Sequence, residues 1–341
     1  MSAAPEFHDL VEVTPDIPRA GEGSMVELAD GRILFAFTRF QGPEDDARAS
    51  IVACHSGDLG RTWTEAEEIV SADEAAENVM SASLLRLQSG GIGLLYLRKD
   101  SRTQCAAWAR RSDDEGATWG EAACCTPEPG YWGAVNDCAV QLADGRIILP
   151  NEVCAEVWVE DEHIEAGCAF SDDDGATWRQ SNLVFVPRRG VMEPRVVELR
   201  DGRLWMLMRT DRGEIWQTCS ADRGETWGEP TPSGIESPQS PFVFTRIPAT
   251  GDLLLIRNPI ARLDQGTHQG WRTPLRASIS RDEGATWINE RDLEPDTTHT
   301  YCYLSELFVG DVGLFSYYVG TREVPLQTLR IARVPVAWFY E

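Results

Sequence analysis

The chain has 341 residues, 42% of them hydrophobic, with 12 Trp; 31 Lys and Arg against 55 Asp and Glu leave a formal net charge of −24 at pH 7. That charge repels phosphate backbones and anionic membrane surfaces, and the arginines are scattered rather than gathered in a stripe, so neither nucleic acid nor membrane is an expected partner. Nine cysteines without CxxC or Cys/His metal spacing read as reduced core thiols, so no metal site and no cofactor are expected.

The N-terminus has no basic stretch followed by an apolar run, which reads as a cytoplasmic chain. Residues 10–14 are expected to pair with a C-terminal strand in 329–339, because an unpaired edge would invite aggregation. Next comes an apolar strand at 25–28, a turn at Asp30-Gly31 and a second apolar strand at 33–37. Equivalent units turn at Ser89-Gly90-Gly91, Asp144-Gly145, Asp201-Gly202, Gly251-Asp252 and Gly310-Asp311. Glycine dipeptides between β-rich runs are hairpin signals.

Between these hairpins an eight-residue signature recurs five times: Ser56 to Trp63, Ser112 to Trp119, Ser171 to Trp178, Ser220 to Trp227 and Ser280 to Trp287. Each reads Ser-x-Asp-x-Gly-x-Thr-Trp. The serines are 56, 59, 49 and 60 residues apart, the self-similarity of a repeat fold. Six hairpins and this spacing predict an all-β chain, one six-bladed propeller of four-stranded antiparallel blades spanning residues 1–341. The signature is turn chemistry for an outer rim and carries no expected catalytic role.

In a propeller the residues just ahead of each hairpin's first strand converge on one pocket. Here they are Arg19 and Glu22, Asn78, Asn136 and Asp137, Glu193 and Arg195, Gln239, and Tyr301. Polar groups from six separate places around one axis describe a ligand pocket, since burying them without partners is costly. Glu152 is a further candidate.

The signatures, hairpins and pocket residues together resemble the sialidase (neuraminidase) superfamily of BNR-repeat, or Asp-box, proteins. Glu193-Pro-Arg through Leu-Met-Arg209 is similar to the segment that carries that family's catalytic Glu and one arginine of its triad, which implies those roles for Glu193 and Arg209. Arg272, eight residues before the last signature, resembles another triad arginine. Tyr301-Cys-Tyr-Leu-Ser matches the segment holding the nucleophilic tyrosine, so the resemblance implies that role for Tyr301. The loop Phe40-Gln-Gly-Pro-Glu44-Asp45-Asp46 stands where the family keeps its acid/base aspartate, with Asp46 preferred to Asp45. The first triad arginine departs from the pattern: Arg19 either reaches the pocket through a bulge, or Glu22 takes the vacated place and rejects a carboxylate.

What the resemblance implies is a retaining exo-glycosidase acting on a small acidic saccharide: sialic acid, a related keto-sugar acid or a uronate. On a glycoside of a 2-keto acid, which holds its carboxylate on the carbon where substitution occurs, a carboxylate nucleophile would meet like charge, whereas a phenol, with an ordinary pKa near 10, avoids it but needs a base such as Glu193. Arg209 and Arg272 suit the substrate carboxylate through bidentate bonds. A lyase or neutral-sugar glycosidase on the same scaffold, and a non-catalytic carbohydrate-binding propeller, are the alternatives.

Overall fold

The computed structural model describes residues 4–261 and 272–341. The hairpin strands are buried along nearly their whole length, as in Arg19–Glu27, Ile33–Phe40 and Leu204–Arg209, and the first strand of each hairpin is the innermost. The first sheet runs Arg19–Glu27, Ile33–Phe40, Ala49–Ser56 and Glu67–Val70 in order. Two later sheets repeat that meander: Met192–Glu198, Leu204–Arg209, Glu214–Ser220 and Thr231–Glu236, then Val243–Arg246, Leu253–Arg257, Leu275–Ser280 and Ile288–Glu294. The last sheet takes Thr300–Val309, Val312–Gly320 and Thr328–Pro335 and borrows the N-terminal strand Glu6–Val11 as its outer edge. That pairing aligns Glu6 with Arg333 and Val11 with Leu329, so the closing strand lies earlier than the expected residues 10–14.

The expectation of six separate four-stranded blades is corrected. The structure has four four-stranded blades and one nine-stranded sheet, which holds Asn78–Arg86, Ile92–Ser101, Gln104–Ser112, Tyr131–Gly133, Ile147–Cys154, Glu165–Ser171 and Arg179–Gln180 along its path. The strand Tyr131–Gly133 is the cause. It pairs antiparallel with Ile147–Cys154 and, through Tyr131 and Cys105, parallel with Gln104–Ser112, so what reads as two hairpin units becomes one sheet.

The sheets stand around a common axis. Arg19–Glu27 packs against both Asn78–Arg86 and Thr300–Val309, which closes the ring at the innermost strands. Apolar faces of neighbouring sheets meet in continuous clusters, such as Leu34, Ile51, Val79 and Leu94 between the first sheet and the nine-stranded one. Each signature tryptophan is part of, or packs against, such a cluster: Trp63, Trp119, Trp178, Trp227 and Trp287.

The signature itself is a hydrogen-bonded turn. In all five copies the serine hydroxyl accepts the glycine N–H, and the aspartate accepts the threonine N–H, at 2.8–2.9 Å. The glycine is left-handed, with φ between 81° and 87°, and four of the five glycines press on the second strand of the preceding hairpin unit. All nine cysteines are free thiols, and Cys219 is exposed rather than in the core. Among the described residues no helix is long and apolar enough to cross a membrane.

Candidate functional site

Four innermost strands share one irregularity. The ladder to the next strand slips between Gly21 and Ser24, Met80 and Ser83, Met192 and Arg195, and Cys302 and Ser305. At each slip the second residue is left-handed without being glycine: Glu22 at φ 52°, Ser81 at 58°, Glu193 at 44° and Tyr303 at 56°. Such a backbone costs about 1–3 kcal/mol per residue and persists only where surrounding structure enforces it. A bulge re-aims its side chain, and all four side chains line one cavity of about 120 Å³, with Asp45, Tyr131, Glu152, Trp158, Arg189 and Arg209. A larger cavity of about 900 Å³ begins three residues further along the same strands, at Met25, Leu84 and Glu306, and shares no lining residue with the first.

The smaller cavity holds a connected polar chain. Tyr303 donates its hydroxyl to Glu193 Oε1 at 3.2 Å, and Arg209 Nη1 donates to Glu193 Oε2 at 2.5 Å. The Arg272 guanidinium lies 5.5 Å from the Tyr303 ring centroid, within cation–π range, and its Nη2 reaches Gln239 O at 3.5 Å. Burial, reinforced by the Glu193 charge, pushes the Tyr303 phenol well above its ordinary pKa, while Arg209 and Arg272 pull the other way. The phenol is therefore neutral at neutral pH, and an attack by its oxygen requires a base already in contact. Glu193 is that contact.

Arg19 faces a different set of partners. It is buried, lies flat on Phe40 at 4.1 Å, donates from Nε to Tyr318 Oη at 3.1 Å and from Nη2 to Glu22 Oε1 at 2.6 Å, and also pairs with Asp45. Gly21 makes this possible, because a Cβ there would sit 2.3 Å from the Tyr318 ring. Glu22 and Asp45 line the cavity, and Arg19 stands behind them. Burial pushes the Glu22 carboxyl up, with Arg19 opposing. Asp45 and Asp46 are both exposed; Asp45 pairs with Arg19 and lines the cavity, whereas Asp46 lies 3.7 Å from Arg102 and is not among the lining residues.

Three other expectations meet different surroundings. Tyr301 does not reach Glu193; its hydroxyl donates to Asp296 O at 3.1 Å and its ring sits in the core with Leu275, Phe315 and Tyr317. Asn136 donates to Gly23 O at 2.8 Å and Leu304 O at 3.3 Å, stitching innermost strands together outside the cavity wall. Asp137 accepts from Ser24 Oγ and from the Glu306 N–H and lines the larger cavity. Tyr303 and Ser81 escaped the sequence reading. A signal for them exists in the serine two residues after three of the four left-handed positions, Glu22-Gly-Ser24, Ser81-Ala-Ser83 and Tyr303-Leu-Ser305.

A closed set of mainly antiparallel sheets with a polar cavity at the bulges of its innermost strands defines the class of protein. Residues 40–315 match the BNR repeat-like domain model. The chain belongs to that family, within the sialidase superfamily. It is 29% identical over 209 residues to the sialidase of Clostridium perfringens, covering 54% of this chain and 53% of that protein, so it spans about half the length of that curated relative. Among solved structures it resembles a Dyadobacter fermentans protein of unknown function (TM-score 0.76, 21% identity, 96% of this chain and 99% of that one). It also resembles a leech intramolecular trans-sialidase complexed with 2,7-anhydro-Neu5Ac (TM-score 0.77, 15% identity, 99% and 71%). At those identities the likeness is one of fold.

Proposed function

We propose that the chain is a sialidase-type retaining glycosidase in which Tyr303 is the nucleophile, Glu193 its base and Asp45 the acid and base toward the leaving group. The observation that carries this reading is the hydrogen-bonded chain Tyr303, Glu193, Arg209 in a cavity whose mouth holds Asp45. In the first step the Tyr303 oxygen bonds to the anomeric carbon as the bond to the leaving oxygen breaks. The phenolic proton passes to Glu193, and Asp45 protonates the departing oxygen. Water then attacks the same carbon, gives a proton to Asp45, and Tyr303 leaves and recovers its proton from Glu193. Arg209, with Arg272 behind the Tyr303 ring, supplies positive charge for a substrate carboxylate.

One observation favours a second reading, a glycosidase for neutral sugars. Glu22 and Asp45 occupy Arg19, and the cavity wall carries four carboxyl groups, Glu22, Asp45, Glu152 and Glu193, against Arg189 and Arg209. A panel of fluorogenic glycosides decides between them. Release from a sialoside, another keto-sugar acid or a uronide supports the first reading, and release from neutral glycosides alone supports the second. Sugar binding without turnover of any glycoside contradicts both and leaves a carbohydrate-binding ring.

A further inference from the structure

We propose that Glu152 is a positioning residue for Glu193 and a charge gate for anionic sugars in the same cavity, an inference that rests on the glycosidase reading above. Glu152 lies on the strand Ile147–Cys154, directly across from Gly133. A Cβ at Gly133 would come within 3.0 Å of Glu152 Cγ and Oε1, so glycine clears the space through which this side chain crosses to the cavity. Its Oε2 accepts the backbone N–H of Glu193. That N–H belongs to the left-handed residue at φ 44°, at the slip where the ladder to Leu204–Arg209 skips from Met192 to Arg195. A buried N–H without a ladder partner needs another acceptor, and Glu152 provides it. The bend that turns Glu193 toward Tyr303 and Arg209 is thus held from a neighbouring sheet.

The charged and titratable groups facing Glu152 are Glu193 and Arg209, Arg189, Tyr131, Cys138 and Cys154. Burial, then the charge of Glu193, pushes its carboxyl up to about 8 against the pull of the Glu193 N–H, Arg209 and Arg189. Near neutral pH Glu152 is an uncharged acid that still accepts the N–H through its carbonyl oxygen. Above pH 8 it releases its proton to solvent and places a second negative charge beside Glu193, where an anionic sugar must bind.

Glu152→Gln and Glu152→Ala in the full chain test this. With an anionic substrate, kcat/KM of the unaltered protein falls roughly tenfold per pH unit above about pH 8. The Gln variant, whose amide cannot ionise, is expected to lose that limb. The Ala variant is expected to lose about tenfold or more in kcat near neutral pH by freeing the bend, and Gln to recover most of that loss. An alkaline limb that persists in Glu152→Gln, or equal losses in Gln and Ala, overturns the proposal. Carbon-13 titration of glutamate carboxyls, with the Gln variant identifying the resonance, reads Glu152 independently of turnover. A midpoint near 8 in a chain that hydrolyses no glycoside supports the placement of Glu152 and sinks the glycosidase reading alone. A midpoint in the ordinary carboxylate range overturns the gate whatever the activity.

Discussion

Tyr301 and Tyr303 lie two residues apart on Thr300–Val309, and in a regular strand they would share a face. The slip between Cys302 and Ser305 separates them: Tyr303 turns left-handed into the cavity, and Tyr301 stays in the core between sheets. Residue identity therefore could not distinguish two phenols in one segment, because the deciding variable is a backbone dihedral. The same device aims Glu193 and Glu22, whose types were legible because an acidic group beside an arginine in an apolar strand is conspicuous. Glu193 and Arg209 meet in a hydrogen bond at the cavity, while Arg272 lies 5.5 Å from the Tyr303 ring centroid and is not among the lining residues. Arg19 is not among the cavity's lining residues: it pairs with Glu22 and Asp45, which are.

At the level of elements, the signature turn joins one hairpin unit to the one before it. Gly60 faces Leu314, Gly116 faces Leu34, Gly224 faces Ile148 and Gly284 faces Trp205, each on a second strand. Gly284 is the tightest, since a Cβ there would lie 2.1 Å from the Trp205 ring at a φ of +87°. Gly284→Ala is expected to cost about 2–5 kcal/mol in urea unfolding, from overpacking and backbone strain together. Gly31→Ala is the control, with φ +83° and nothing within 4 Å, and should lose only about 1 kcal/mol. Equal losses would show that the contact with Trp205 contributes nothing. Turns of this kind were readable because Ser, Asp and Gly at fixed offsets have few other uses. The three-residue strand Tyr131–Gly133, which fuses two hairpin units into one sheet, was not, because three residues carry no periodicity.

Across the whole molecule, titration pulls stability in two directions. Hydrogen bonds from Thr62 hold Asp58 down to about 2, and threonine bonds likewise lower Asp114 and Asp282. Their contribution is present above the unfolded pKa near 4 and is lost as pH falls through the folded values. Glu22, Asp137, Glu152 and Glu306 are pushed up by burial, Glu152 to about 8. Their contribution is present below the unfolded pKa near 4 and is lost as pH rises through the folded values. Growing negative charge acts in the same direction as these last four. Stability to urea should therefore peak at about pH 4–5, fall below pH 4 and decline again toward pH 8; a profile that is flat or rises from pH 5 to 8 contradicts the buried acids. The all-β repeat was legible over the full chain, since hairpin and signature recur at nearly constant spacing. Sheet membership was not, because it depends on pairing between loops distant from those signals.

The central claim is that the reacting phenol is Tyr303. Steady-state turnover of Tyr303→Phe and Tyr301→Phe, on whichever glycoside the panel identifies, tests it most directly. Loss of one hydroxyl from Tyr303 should reduce kcat by about 10²–10⁴, while Tyr301→Phe, which gives up a bond to a backbone carbonyl, should keep turnover within a few fold and lose about 1 kcal/mol of stability. Full turnover in Tyr303→Phe, or its collapse in Tyr301→Phe with the fold intact, would place the chemistry elsewhere.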